Sequence, residues 1–206
     1  MIHDIQPGVK GLIFDLDGTL ADTMLYHFEA WENACKKYGA GIDIVILQKH
    51  VGSSSLEIAY EILKVYNLNG IVSADQLLND KVSEFLKFQL LVKPIEPVKD
   101  IVRRYHGILP MSVGTGGHRE IVKIIMEVTG LRNYFDIIIT ANDISNFKPD
   151  PETFLKCAEL MKIPPSHIEV FEDTEFGLEA ARNAGMIATD VRSWYNSDLL
   201  REIIIQ

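Results

Sequence analysis

Two aspartates at the end of a short apolar segment are the first residues whose types and spacing could do chemistry. Asp15 and Asp17 follow the apolar run 11–14, and a glycine and a threonine come directly after them. Two carboxylates this close together cannot both be core residues, because an unpaired buried carboxylate is very costly. They can cap a strand, bind a metal ion or catalyse a reaction, and an isolated pair can also be a solvated loop.

Further polar groups stand at the ends of other apolar segments or in the loops between them. They are Thr115 after the run 111–114, Lys148 before a proline, and the acidic pair Glu172 and Asp173. In open α/β sheets the functional site lies outside the carboxyl ends of the strands. We therefore expect these groups, which are far apart in sequence, to converge at one place.

The elements that must position these groups are short apolar runs that alternate with helical stretches. The strand-length runs cover residues 11–14, 111–114, 137–139, 168–171 and 186–189. Continuous apolar runs are typical of parallel strands that are buried on both faces. Strands that alternate with amphipathic helices indicate the α/β class. The sequence therefore predicts a Rossmann-like, doubly wound parallel sheet.

The interval between residues 23 and 91 is different, because its patterns indicate only helices. The helical stretches cover residues 25–38, 56–66 and 74–91. Such an interval is too long to be a plain loop in a compact domain. We expect an α/β core domain formed by residues 1–22 and 92–206, and a small all-helical cap domain, residues 23–91, inserted after the first strand.

Composition excludes several classes of function. The 206-residue chain has a formal net charge of -9, which argues against a nucleic-acid-binding surface. Cys35 and Cys157 stand apart from each other and from any His/Cys cluster, so we expect reduced thiols and no zinc. No apolar run approaches the roughly 20 residues that span a bilayer, and the first residues lack a signal-peptide pattern. We expect a cytoplasmic protein, a monomer or weak dimer, with no membrane or nucleic-acid partner.

The order and spacing of the polar groups resemble the haloacid dehalogenase-like hydrolase superfamily over essentially the whole chain. Its four motifs are matched by Asp-x-Asp-Gly-Thr at 15–19, by Thr115, by Lys148 and by the acidic pair at 172–173. Four motifs in register are far more specific than any one of them. The stretch 22–31 narrows the resemblance to the β-phosphoglucomutase-like subgroup, and the chain looks similar to the bacterial fructose-1-phosphate phosphatases of that subgroup.

The resemblance implies a Mg²⁺-dependent phosphatase with defined roles for the carboxylates. Asp15 would be the nucleophile that forms an aspartyl-phosphate, and Asp17 would be the general acid and base. The Mg²⁺ ligands would be Asp15, Asp173 and the backbone carbonyl of Asp17. Glu172 would contribute directly or through a water molecule.

The resemblance also assigns groups to the transferring phosphoryl. Lys148 would offset its charge, and Thr115 would donate its hydroxyl to one of its oxygens. Backbone N–H groups near Gly116 would add further donors. Taken alone, Thr115 could instead cap the following helix, and Lys148 could be an ordinary exposed lysine.

The same resemblance gives substrate-binding roles to residues of the cap. Thr23 and His27 match positions near the leaving group, Lys81 matches a lysine that contacts substrate, and Ser54 lies in the corresponding stretch 52–55. Packing at the domain boundary for His27 and a solvated helix face for Lys81 stay open as alternatives. Ser55 stands where the mutases carry an arginine that holds a second phosphate, and serine cannot copy that bidentate contact.

The substitution at that position favours hydrolysis over phosphoryl transfer within a sugar. The expected substrate is a small phosphorylated metabolite, such as fructose 1-phosphate. A β-phosphoglucomutase-type mutase and a non-catalytic, ligand-sensing protein on the same fold are the alternatives. A dehalogenase is disfavoured, because Asp17 and the acidic pair suit magnesium and phosphate better than halide.

Overall fold

Seven strands organise the computed structural model, which describes residues 3–48 and 54–195. In chain order they are β1 (Gly11–Phe14), β2 (Ala21–Asp22), β3 (Lys93–Pro94), β4 (Met111–Gly114), β5 (Ile137–Ile139), β6 (Ile168–Glu172) and β7 (Ile187–Asp190). The helices are α1 (Met24–Lys36), α2 (Ile44–Gln48), α3 (Ser55–Val65), α4 (Ala74–Leu86), α5 (Glu96–Tyr105), α6 (Arg119–Val128), α7 (Glu152–Met161) and α8 (Glu175–Asn183).

Five of the strands form one parallel sheet in the order β5-β4-β1-β6-β7. The chain moves outward from β1 through β4 to β5, and then crosses back to place β6 on the other side of β1. The strand order therefore reverses between β1 and β6, and a crevice at such a point is where ligands bind in sheets of this kind. The predicted doubly wound parallel sheet is confirmed.

Successive side chains along a strand point alternately into two separate apolar layers. Leu12 and Phe14 of β1 point into the layer that holds α5 and α6, and Ile13 points into the layer that holds α7 and α8. Phe14 stacks on Phe171 of β6 with ring centroids 4.8 Å apart. This burial on both faces explains why the strands read as continuous apolar runs, and it fixes their carboxyl ends rigidly against each other.

Helices α1 to α4 occupy the interval that the sequence marks as purely helical. They bury an apolar cluster of their own, which includes Trp31, Ile62 and Leu77. The start of α3 is set by a capping box between Ser54 and Glu57, in which each side chain accepts from the other residue's backbone N–H. Ser73 caps α4 in the simpler way, by accepting from a backbone N–H of the first turn.

The helix predicted over residues 74–91 ends earlier, at Leu86. A short 3₁₀ turn, Gln89–Leu91, follows it and turns the chain back towards the sheet. Phe88, directly before this turn, stacks on Tyr26 of α1, with ring centroids 5.7 Å apart. This packing redirects the chain before it enters β3.

The two places where the chain passes between the sheet and the four helices lie side by side. Outgoing β2 and returning β3 form a small antiparallel pair that aligns Ala21 with Pro94 and Asp22 with Lys93. The sequence patterns did not predict these two-residue strands.

None of the helices within the described parts of the chain is long and apolar enough to cross a membrane.

Candidate active site

The carboxylate of Asp15 lies at the carboxyl end of β1, at the centre of the sheet. The backbone N–H of Asp15 donates to the carbonyl of Phe171 at 3.0 Å, so the pairing of β1 with β6 continues up to Asp15 itself. The ammonium of Lys148 donates to Oδ1 of Asp15 at 2.5 Å and to Oε2 of Glu172 at 2.7 Å. All three side chains are buried, and the lysine sits between the two carboxylates as their shared counter-charge.

Glu172 is fully buried, and both of its oxygens accept hydrogen bonds. Oε1 accepts from the backbone N–H groups of Asp173 and Thr174 and from the Thr174 hydroxyl, at 2.9–3.1 Å, while Oε2 accepts from Lys148. A Cβ added at Gly177 would lie 2.1 Å from this carboxyl group. Glycine at 177 is thus required by the close approach of α8 to a carboxylate that cannot move aside.

Asp173 faces the loop that follows β1. Its Oδ1 accepts from the hydroxyl of Thr19 at 2.9 Å, and its Oδ2 lies so close to Gly18 that an added Cβ would stand 2.2 Å away. Gly18 also has a positive φ of 81°, so both its conformation and its surroundings require glycine. One carboxylate oxygen each from Asp15, Glu172 and Asp173 can be chosen so that the three lie within 4.8 Å of one another.

In this group of three carboxylates and one lysine, the single ammonium can offset the charge of only one carboxylate. Burial, joined by the negative charge of Glu172, raises the pKa of Asp15 from 3.8 to about 8, against the opposing effect of Lys148. Burial and the charges of Glu172 and Asp15 likewise raise the pKa of Asp173. Burial alone would lower the pKa of Lys148, but its two carboxylate partners raise it above its ordinary value. A divalent cation that prefers oxygen ligands, such as Mg²⁺, fits this donor set and its charge.

Asp17 is turned towards the helices that follow β2. Its Oδ1 accepts from the Thr23 hydroxyl at 2.7 Å and contacts Nε2 of His27 at 3.0 Å. The ammonium of Lys81 lies 2.9 Å from the other ring nitrogen, Nδ1 of His27. Because an ammonium can only donate, Nδ1 is the acceptor and Nε2 carries the proton that is donated to Asp17. Lys81, His27 and Asp17 thus form a chain of donors that runs from α4 to the β1 loop.

This chain of donors sets the protonation of its members. Burial would raise the pKa of Asp17, but His27, the Thr23 hydroxyl and Lys81 lower it below its ordinary value. Burial lowers the pKa of Lys81 to about 8, with Asp17 acting in the opposite direction. Burial and the nearby Lys81 charge also lower the pKa of His27. The arrangement therefore holds Asp17 as a carboxylate, the form that accepts a proton.

Thr115 is brought to the same edge of the sheet by β4. Its buried hydroxyl accepts from the backbone N–H of Gly117 at 3.0 Å. A Cβ added at Gly117 would lie 3.3 Å from that hydroxyl and 3.4 Å from Oδ2 of Asp17. The loop that holds Gly116 thus approaches Asp17 closely, and helix α6 begins only after it, with no side-chain cap from His118.

Ser54 belongs to the capping box of α3, where its hydroxyl is engaged with Glu57. Glu57 also lines a cleft of about 580 Å³, together with residues 145–151, which include Lys148, and with Asn183. Gly52 and Ser53 of the stretch 52–55 lie outside the described residues.

The sequence predicted the carboxylates, Thr115 and Lys148 of this group but not all of the residues that hold them in place. It gave no role to Thr19, which binds Asp173, although Thr19 belongs to the first motif and its position there is a usable signal. It also did not pair His27 with Lys81, because the two stand on helices separated by 54 positions and no spacing rule joins them.

The chain is similar to known proteins of one hydrolase family. The sequence model of the family described as haloacid dehalogenase-like hydrolase matches residues 12–191. The chain is 41% identical over 184 residues to the fructose-1-phosphate phosphatase of Escherichia coli, which covers 88% of this chain and 96% of that protein. It is 30% identical over 188 residues to a phosphorylated carbohydrates phosphatase of Thermotoga maritima, covering 86% and 82% of the two chains.

Among solved structures, the β-phosphoglucomutase of Clostridium difficile superposes with a TM-score of 0.76. The match covers 96% of this chain and 100% of that one at 21% sequence identity, so it bears on the fold alone.

Proposed function

Because the chain belongs to the haloacid dehalogenase-like hydrolases, we propose that it is a Mg²⁺-dependent phosphatase that cleaves a small phosphate monoester through an aspartyl-phosphate on Asp15. One observation carries this proposal. Asp15 is buried beside one lysine and two further carboxylates, a set that needs a divalent cation and can then accept a phosphoryl group.

The residues that would hold the ion are Asp15, Asp173 and the backbone carbonyl of Asp17. Both oxygens of Glu172 already accept hydrogen bonds, which supports an indirect role for it in orienting Lys148 and the loop at 173–174. Once bound, Mg²⁺ supplies positive charge that offsets the repulsion between the nucleophile and the phosphate and stabilises charge on the transferring oxygens.

In the first step an Oδ atom of Asp15 attacks the phosphorus, and the bond from phosphorus to the ester oxygen breaks. Asp17 would give a proton to the departing alkoxide. Because its neighbours favour its carboxylate form, it must first take up that proton from solvent as the substrate binds. Lys148 and the Thr115 hydroxyl, with backbone N–H groups near Gly116, bind the phosphoryl oxygens during this transfer.

In the second step Asp17, now a carboxylate, takes a proton from a water molecule, whose oxygen attacks the phosphorus of the aspartyl-phosphate. Cleavage of the acyl phosphate bond frees Asp15 and inorganic phosphate. The hydrogen bonds from Thr23 and His27 favour the base form of Asp17 and so suit this step.

We propose that residues 23–91 act as a cap domain on a core formed by 1–22 and 92–206. The adjacent strands β2 and β3 would be its hinge, and closure would exclude water from the site. His27 and Lys81 would then lie near the leaving group, as their hydrogen-bonded chain to Asp17 suggests. Ser54 would act there mainly by fixing the start of α3.

The proposed substrate is a sugar phosphate similar to fructose 1-phosphate, since the relatives at 41% and 30% identity carry phosphatase names of that kind. We expect the protein to act in the cytoplasm as a monomer or weak dimer. Serine at position 55 supports hydrolysis over the mutase reaction, because it leaves no arginine there for a second phosphate.

The test is phosphate release from a panel of sugar phosphates, nucleotides and small organic phosphates, with Mg²⁺ and with EDTA. We expect Mg²⁺-dependent release, greatest for sugar monophosphates, and its abolition in Asp15→Asn. Asp136→Asn is a matched change at an exposed residue of the proposed core domain, and it should leave phosphate release unchanged. Absence of release from the whole panel, or an active Asp15→Asn variant, would refute the proposal.

Product analysis with β-glucose 1-phosphate separates the phosphatase from a mutase. The proposal requires glucose and inorganic phosphate as products, in equal amounts. Formation of glucose 6-phosphate without release of phosphate would instead establish the mutase reaction.

A further inference from the structure

The phenol of Tyr195 reaches the loop that joins the nucleophile to the general acid and base. Its hydroxyl donates to the backbone carbonyl of Gly18 at 2.7 Å, across 177 positions of the chain. The ring packs against the main apolar layer of the core. Burial raises the pKa of Tyr195, so the hydroxyl stays protonated and serves as a donor.

The segment that carries Tyr195 is anchored at several points. Val191 is fully buried, and its N–H donates to the carbonyl of Glu172 at 3.0 Å, just beyond the last pairing of β6 with β7. Trp194 packs its ring edge-on against Phe171 and stacks on His3, with ring centroids 3.9 Å apart in the latter pair. These contacts fix the position of the segment from which Tyr195 reaches Gly18.

Gly18 is the residue of the β1 loop that lies directly against the carboxylate of Asp173. Its N–H donates to the carbonyl of Ala21 at 2.8 Å, and this bond orients the peptide that carries the Asp17 carbonyl. The next peptide leads to Thr19, whose hydroxyl binds Asp173. Tyr195 holds the carbonyl of that second peptide, so both peptide groups that flank the Gly18 Cα are fixed.

We propose that Tyr195 is a positioning residue for metal binding, which sets the distance between the β1 loop and Asp173 through its hydrogen bond to Gly18. The inference rests on the proposed function, because it takes the Asp17 carbonyl and the Asp173 carboxylate as Mg²⁺ ligands. Tyr195 itself touches neither the ion nor the substrate. Its removal releases one peptide of the loop and leaves a carbonyl without its partner.

The test is calorimetric titration of Mg²⁺ into the full-length protein and its Tyr195→Phe variant. The variant keeps the ring and loses only the hydroxyl. Because a hydrogen bond of this kind contributes roughly 1 kcal/mol and 1.4 kcal/mol is tenfold, we expect Mg²⁺ to bind about fivefold to tenfold more weakly. The Mg²⁺ concentration for half-maximal phosphate release should rise by the same factor, with the substrate KM at saturating Mg²⁺ unchanged.

Tyr38→Phe is the matched control, since it removes a phenol that donates to Asp80 of α4 and contacts neither the carboxylate group nor the segment of Tyr195. It should leave Mg²⁺ affinity unchanged. Thermal unfolding of the metal-free variants reports on folding alone. If Tyr195→Phe lowers the metal-free Tm but binds Mg²⁺ as tightly as the wild type, the tyrosine is only structural and the inference is wrong.

The calorimetric readout does not depend on turnover, so this inference and the proposed function fail in different ways. Wild-type protein that binds Mg²⁺ but releases no phosphate contradicts the function and leaves the Tyr195 comparison intact. Wild-type protein that binds no Mg²⁺ overturns the inference.

Discussion

At the scale of single residues, the site contains ionisable side chains whose charged forms are made less favourable by burial. Lys81 is buried against Trp31 and Phe85, with its ammonium 5.6 and 5.3 Å from the two ring centroids, and its pKa falls to about 8. A buried lysine with such a pKa stays in place only if it is useful, because an apolar side chain would fill the same space at lower cost. Its contact with His27 identifies that use.

We expect Lys81→Met to stabilise the protein and to slow the reaction. Removal of the buried charge should raise the free energy of unfolding at pH 7 by about 1–3 kcal/mol, as measured by urea unfolding. Loss of the donor that orients His27 should lower kcat about 10- to 100-fold.

Lys37→Met is the matched control on the same group of helices. Lys37 is exposed and pairs with Asp80 and with the buried Glu84, which Lys87 also contacts, so its loss should change stability by less than about 1 kcal/mol and leave kcat unchanged. A stability loss or unaltered kcat in Lys81→Met would contradict the role given to that residue.

At the scale of elements, the start of α3 has two interpretations that an experiment can separate. Ser54 was predicted to contact substrate, and the structure engages its hydroxyl in the capping box with Glu57. A serine that only caps the helix affects stability, whereas one that also contacts substrate affects KM.

We expect Ser54→Ala to lower the free energy of unfolding by about 1 kcal/mol, as is usual for loss of a helix cap, with little change in KM. Ser73→Ala removes the equivalent cap from α4 and provides the comparison, with a similar stability loss and unchanged kinetics. A several-fold rise in KM for Ser54→Ala alone would instead establish a substrate contact.

The sequence was sufficient for the strands of the main sheet and for the residues at their carboxyl ends. Buried parallel strands must be apolar, and a phosphoryl-transfer site must keep its carboxylates, so both leave direct traces in the residue types. The β2–β3 pair leaves none, because a two-residue strand has no periodicity. Tyr195 and the His27–Lys81 contact depend on how distant segments pack, which single-residue patterns do not record.

At the scale of the whole molecule, the carboxylate group links metal binding to global stability. Between pH 4 and pH 8 the carboxyl group of Asp15 binds more protons in the folded protein than in the unfolded chain, because folding raises its pKa from 3.8 to about 8. The stabilising contribution of this proton is full below pH 4 and is lost as the pH rises through 8. A divalent cation would replace the proton and restore that stability.

The Tm of the metal-free protein should therefore fall between pH 5.5 and pH 8, and Mg²⁺ should raise it more at pH 8 than at pH 5.5. At 100 times its dissociation constant Mg²⁺ adds about 2.7 kcal/mol, or roughly 5–10 °C for a chain of this size. Scanning calorimetry in EDTA and in Mg²⁺ provides the measurement. Asp173→Asn should lose the response to Mg²⁺, and an equal response at both pH values in the wild type would contradict the proposed charge balance.

The pairing of β1 with β6 has a consequence for how the protein is made on the ribosome. Asp15 leaves the exit tunnel 133 residues before Lys148 and more than 150 residues before Glu172 and Asp173. At 5 to 20 residues per second, this interval is on the order of 10 s. During that time α1 to α4 can bury their own cluster, while the newborn chain has only Asp15 of its three clustered carboxylates. Catalytic competence would therefore come late in synthesis, so that a chain interrupted before β6 would be inert.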